Sequence, residues 1–124
     1  MLILTHYIAD HELKPLLKYF DLKDVLEGAQ KVVKNLAVQV KAPCKIAGAK
    51  FFKVRIGRNV KGRMIVFVLV DGGKVVPVLI RLKKDSLFGM NMSMNNKEVV
   101  QEVKKNLWRV LDDIENGRYE KFKL

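Results

Sequence analysis

One cysteine, Cys44, stands in the 124 residues, which excludes a disulfide within the chain and a thiolate-based zinc quartet. Prolines number three and tryptophans one, so Pro15, Pro43, Pro77 and Trp108 are points of punctuation and not part of any repeat. No apolar run approaches the ~20 residues that a membrane-spanning helix requires. The opening MLILTHYIAD has no basic segment ahead of its apolar residues, and the chain is expected to be soluble and cytoplasmic. Most informative is the missing acid: residues 28 to 70 contain no Asp or Glu, yet they carry Lys31, Lys34, Lys41, Lys45, Lys50, Lys53, Arg55, Arg58, Lys61 and Arg63.

With 49% hydrophobic and 30% charged residues, the composition is that of a globular protein, and the length fits a single domain over 1–124. Twenty-four Lys and Arg against 13 Asp and Glu give a net charge of +11. Such a balance favours a polyanion, an acidic protein or an anionic surface over a neutral small substrate.

Periodicity gives the order of elements. LILTHYI (2 to 8) reads as a strand, and Asp10 can cap a helix running to Phe20, with a start or kink at Pro15. Asp21 can cap a second helix whose apolar stripe is Val25, Leu26, Ala29, Val32, Val33, Leu36 and Val40, ended by Ala42-Pro43. From Phe51 the period falls to two. RMIVFVLV (63 to 70) is apolar on both parities and reads as a central strand, and KVVPVLIRL (74 to 82) follows a glycine turn, with Pro77 marking an edge or a bulge. After a long loop holding the Met-rich GMNMSMNN (89 to 96), read as gap-filling, Asn95 or Asn96 can cap a last helix from Glu98 to about Asn116, closed by Gly117. Trp108 on that helix is read as core or partner-facing. The expected fold is α+β: a small antiparallel sheet with two N-terminal helices on one face and a C-terminal helix, in the order β-α-α-β-β-β-α.

Strand alternation then sorts the cations. If Val54 and Ile56 face the helices, Lys53 and Arg55 stand on the open face. A three-residue loop at Asp71-Gly72-Gly73, its last glycine left-handed, sets Arg63 opposite Arg81 on that same face, whereas a two-residue loop would separate them. Like charges directly opposite repel unless an anion lies between them, so this face is expected to bind phosphate.

The order of elements, together with FFKVRIG, GRMIV, a glycine-bearing turn, VVPVLIRLKKD and the C-terminal helix, resembles the RelE/ParE superfamily of toxins from type II toxin–antitoxin modules, the RelE and HigB branch in particular, over residues 2 to 87. The resemblance implies a RelE-like fold and a ribosome-dependent mRNA endoribonuclease that needs no metal or cofactor, with a cognate antitoxin, mRNA and the ribosome as partners. It implies catalytic roles for Lys53 and Arg55 on the second strand of the family pattern, for Arg63 at the head of the central strand, and for Arg81 and Lys84 at and after the last strand. Lys50, Arg58, Lys61, Lys83 and Phe88 would contact RNA. Cleavage by 2′-hydroxyl attack needs a base, charge stabilisation at the phosphorane and an acid for the leaving oxygen. Clustered cations supply the second and can draw a neighbouring lysine towards the first.

Some relatives carry a tyrosine after the last strand, where this chain has Leu87-Phe88-Gly89; Phe88 can stack on a base but cannot move a proton. His6 and His11 belong to the first strand and helix, away from the basic face, and make no metal pair. Two other readings stay open: a ParE-like inhibitor of DNA gyrase without nuclease activity, and a homologue that binds RNA or antitoxin with catalysis lost.

An acid-free basic segment makes salt the first test. Binding of a single-stranded RNA is expected to weaken roughly a hundredfold between about 50 and 200 mM salt if five phosphates are neutralised. A flat titration by fluorescence anisotropy would refute the polyanion reading.

Overall fold

The computed structural model describes residues 1–60, 62–69, 73–84 and 93–124, and within them the chain is α+β, built on one mixed sheet of six strands. In sequence these are β1 (Leu2–Thr5), β2 (Val38–Val40), β3 (Ala49–Ile56), β4 (Gly62–Leu69), β5 (Lys74–Leu82) and β6 (Tyr119–Phe122). Across the sheet they run β2-β3-β4-β5-β1-β6. The sheet therefore has two strands more than the four of the expected order, and it is not purely antiparallel, since β1 pairs with β5 in parallel.

Two strands escaped the sequence reading. β2 occupies residues assigned to the end of the second helix; Lys34 and the left-handed Asn35 stop that helix, so α2 spans Leu22–Val33, and Leu36 and Val40 fall outside its stripe. β6 follows Gly117, whose left-handed φ of 70° closes α3 (Lys97–Glu115) and returns the chain along β1. The caps expected for these two helices are present: Asp21 and Asp24 form a reciprocal capping box on α2, and the Asn96 side chain accepts from the N–H groups of Glu98 and Val99.

The first helix differs from expectation. Thr5, and not Asp10, accepts from the Ile8 N–H to start α1 (His6–Ile8), which passes into a π-helical turn Ala9–Leu13 and a 3-10 turn Lys14–Leu16 around Pro15. Without its own N–H, Pro15 cannot extend a regular helix to Phe20.

α2 lies on one face of the sheet and approaches it closely at Gly28, where a Cβ would come within 2.5 Å of Ile56 Cγ2 and 2.9 Å of Met64 Cε. α3 lies on the opposite face. Arg81 follows Ile80, which shares a row with Met64, so its side chain emerges on the far side, where it meets Glu102 of α3 at 3.1 Å. With a helix on each face, the residues of β4 from Met64 to Phe67 and of β5 from Val75 to Ile80 are buried on both parities. No helix among the described residues is long and apolar enough to cross a membrane.

Pro77 marks a bulge in an interior strand, not an edge. Val75 donates its N–H to Met1 O at 2.9 Å, so the nitrogen two residues on also faces β1; being proline it has nothing to donate, and Leu2 opposite Val75 is the one registered pair of the parallel ladder. Val78 is the extra residue, because Val66 pairs with Pro77 while Ile65 pairs with Leu79. Beyond it the strand's parity flips and the Ile80 N–H turns towards the β1 side, where β1 has already ended. There Glu12 Oε1 accepts it at 2.9 Å, and the same carboxylate takes Arg81 Nε at 3.2 Å and Nη2 at 2.9 Å.

Glu12 is thus a buried strut between the first helical turns and β5. Removing it leaves Arg81 and the Ile80 N–H to find other partners away from water. Glu12→Ala is expected to lower folding stability by about 3–5 kcal/mol in urea denaturation, whereas an exposed control such as Lys104→Ala should change it by less than about 0.5 kcal/mol.

Candidate polyanion-binding face

Three arginines form one cross-strand row. Arg55 pairs with Arg63 and Arg63 with Arg81, placing three guanidinium-bearing positions side by side on neighbouring strands about 5 Å apart. The expected register holds, but for another reason: near the turn Leu69 faces Lys74, a register that continued straight would bring Ile80 opposite Arg63. The Val78 bulge supplies the missing step. Gly73 is left-handed, with φ 59°, and the rest of the proposed turn, Asp71 and Gly72, lies outside the described residues.

Lys53 shares this face two residues along β3, while Lys50, of opposite parity, stands on the α2 side. The face is not open along its length. Ile65, Phe67 and Leu79 of the same parity are fully buried, so only the end that carries the arginine row reaches solvent.

The row is graded in environment. Arg55 is exposed, Lys53 half-buried and Arg63 only 6% exposed. Arg63 Nη1 donates to Gly62 O at 3.2 Å, and burial, followed by the charge of Arg55, lowers its pKa from the usual arginine value. Arg81 differs: its guanidinium is gripped by Glu12 and by Glu102, which also meets Lys105 at 3.0 Å. Desolvation raises the Glu12 pKa, partly offset by Arg81 and by the Ile80 N–H. Arg55 is thus the solvent-facing cation of the row, and Arg81, held by two carboxylates, acts chiefly as a structural cation.

The remaining residues singled out in the sequence scatter. Arg58 borders a cleft of about 460 Å³ beside Asp21, Asp24 and Glu27, near the start of α2. Lys83 is exposed after β5, and Lys84 Nζ lies 6.0 Å from the Tyr19 ring, with Lys18 Nζ at 5.9 Å. Lys61 and Phe88 lie outside the described residues. His6 approaches Glu120 at 3.9 Å, and Trp108 is 69% exposed on the solvent side of α3, so it is not core.

Three groups were missed. Lys41 lines a hollow of about 190 Å³ with Lys53, Ser93 and Asn95, extending the basic face past β2. Tyr19 brings a phenol next to Lys84 from 65 residues away. His11, expected away from the basic residues, shares a cleft of about 350 Å³ with Tyr7, Glu12, Arg81, Glu102 and Lys105; its Nδ1 lies 3.1 Å from Tyr7 O and its ring stacks on Tyr7 at 4.3 Å. Only the acid-free run around Lys41 was a usable signal; the others are joined by the bulge and by the turn before α2, which no periodicity displays.

Comparison with protein-family models, with curated proteins and with solved structures finds no match for this chain.

Arg55 and Arg63 are like charges paired across neighbouring strands, and the charge of Arg55 opposes that of Arg63. Arg55→Gln is expected to stabilise the unliganded protein by up to about 1 kcal/mol in urea denaturation. Millimolar inorganic phosphate is expected to raise the thermal melting temperature of the parent protein, and to raise it less in Arg55→Gln.

Proposed function

We propose that the chain is a RelE-like toxin of a toxin–antitoxin module, acting in the cytoplasm as a metal-independent, ribosome-dependent mRNA endoribonuclease. The observation that carries this reading is the row Arg55, Arg63 and Arg81, with Lys53 beside it on the same face. The succession of a strand, helical turns, α2, the β3-β4-β5 meander and α3 is compatible with that fold family, with β2 and β6 as additions to the expected order.

In this reading the scissile phosphate sits at the exposed end of the row. Arg55 and Arg63 bind its non-bridging oxygens and oppose the charge that grows on them as the 2′-oxygen attacks. Lys53 is a group on this face able to exchange a proton, and the Tyr19 phenol beside Lys84 is a second at the same end of the sheet. Arg81 holds β5 to Glu12 and Glu102 and so keeps the row in register. A cognate antitoxin would restrain the activity by covering this charge.

The test is cleavage of mRNA on purified ribosomes. Arg55→Ala and Lys53→Ala, both at accessible positions, are each expected to slow cleavage by about a hundredfold or more with folding intact. Undiminished cleavage by both variants, or inhibition of DNA gyrase with mRNA left whole, would overturn the reading.

A further inference from the structure

β2 ends the sheet, and among the described residues no strand pairs with its outer side. Alternate N–H and C=O groups of Val38–Val40 therefore point away from β3, a ready template for another strand. Beside this edge the chain exposes aliphatic side chains where it leaves α2: Val33 is 59% exposed, Leu36 70% and Val38 63%. The cause is local. Leu36 N–H returns to Lys31 O at 2.8 Å to close the helix, and the reversal at Asn35 turns the apolar residues outward instead of over the sheet.

The rim of this patch is cationic. Lys34 and Lys41 flank it, both exposed, and the sequence holds no carboxylate from 28 to 70 that could neutralise them nearby. Apolar side chains, unpaired strand edge and basic rim coincide within residues 33 to 41.

We infer that the outer edge of β2 is a docking site for an extended protein segment in which apolar and acidic residues alternate, added to the sheet as a seventh strand. Its backbone would pair with Val38–Val40, its apolar side chains would cover Val38 and Leu36, and its carboxylates would meet Lys34 and Lys41. Nucleic acid fits less well, since the patch offers no aromatic ring for a base to stack on. A second copy of the chain fits less well too, since an antiparallel pairing of two β2 edges would bring the lysine rims together. The site adjoins the basic face, since Val38 pairs with Lys53 and Lys41 shares the hollow beside it, but pairing along the outer edge of β2 does not rest on the nuclease reading.

The probe is a set of eight-residue peptides in which valine alternates with glutamate, with lysine or with serine, added to the whole chain. The glutamate peptide is expected to bind and to slow hydrogen exchange at the amides of residues 38 to 40, with binding weakened by salt. Val38→Glu and Lys41→Glu, at exposed positions, are each expected to weaken it at least tenfold while leaving the thermal melting temperature in place. Three results would overturn the proposal: equal binding of the lysine peptide; protection of the same amides by a single-stranded RNA but not by the glutamate peptide; or a dimer in sedimentation that Val38→Glu dissolves while the peptide fails to bind.

Discussion

Val78 is one residue more than β5 needs to pair with β4, and the geometry of the basic end depends on it. The extra residue flips the strand's parity beyond it. That flip brings Arg81 opposite Arg63 and turns the Ile80 N–H outward, into the space that β1 leaves when it ends at Thr5. Glu12 fills that space, and a carboxylate buried there is tolerable because it receives three hydrogen bonds, two of them from a guanidinium. Asn106 on α3 secures the bulge from another side by donating to Val78 O at 2.8 Å. One irregular residue thus ties the N-terminal turns, the central strands and the last helix to a single register.

The same arrangement divides the charge. At the β5 end of the row, Glu12 and Glu102 neutralise Arg81; at the β3 end, Arg55 faces solvent with Arg63 behind it and Lys53 alongside. Arg63 is largely out of water, so its interaction with Arg55 is screened less than one between two exposed groups. A cleft of mixed sign, holding His11, lies on the acidic side, whereas the hollow between Lys41 and Lys53 lies on the basic side. Charge on this end of the sheet is therefore uneven and not uniform.

Much of this was legible in the amino-acid order. Alternation in FKVRI identified Lys53 and Arg55 as neighbours on one face, the doubly apolar RMIVFVLV marked a strand buried on both sides, and Asp21 and the pair Asn95-Asn96 announced α2 and α3. β2 and β6 were not legible, since three or four residues beside a helix end carry too little period to outweigh the helical stripe that runs into them. The pairing of Arg63 with Arg81 was anticipated through a loop length, when the cause lies in Val78.

Local chemistry, expressed as periodicity, caps and the long acid-free stretch, determines from sequence the principal strands β3 to β5, the helices α2 and α3 and where positive charge accumulates, because those properties act between residues a few positions apart. Which cations face solvent and which are held by carboxylates is decided only in the folded chain. Arg81 is held by Glu12 from 69 residues away and by Glu102 from 21, and neither distance leaves a trace in a local pattern. A guanidinium's role follows from the dielectric and the partners around it, and those exist only once the sheet, the first helical turns and α3 have closed upon it.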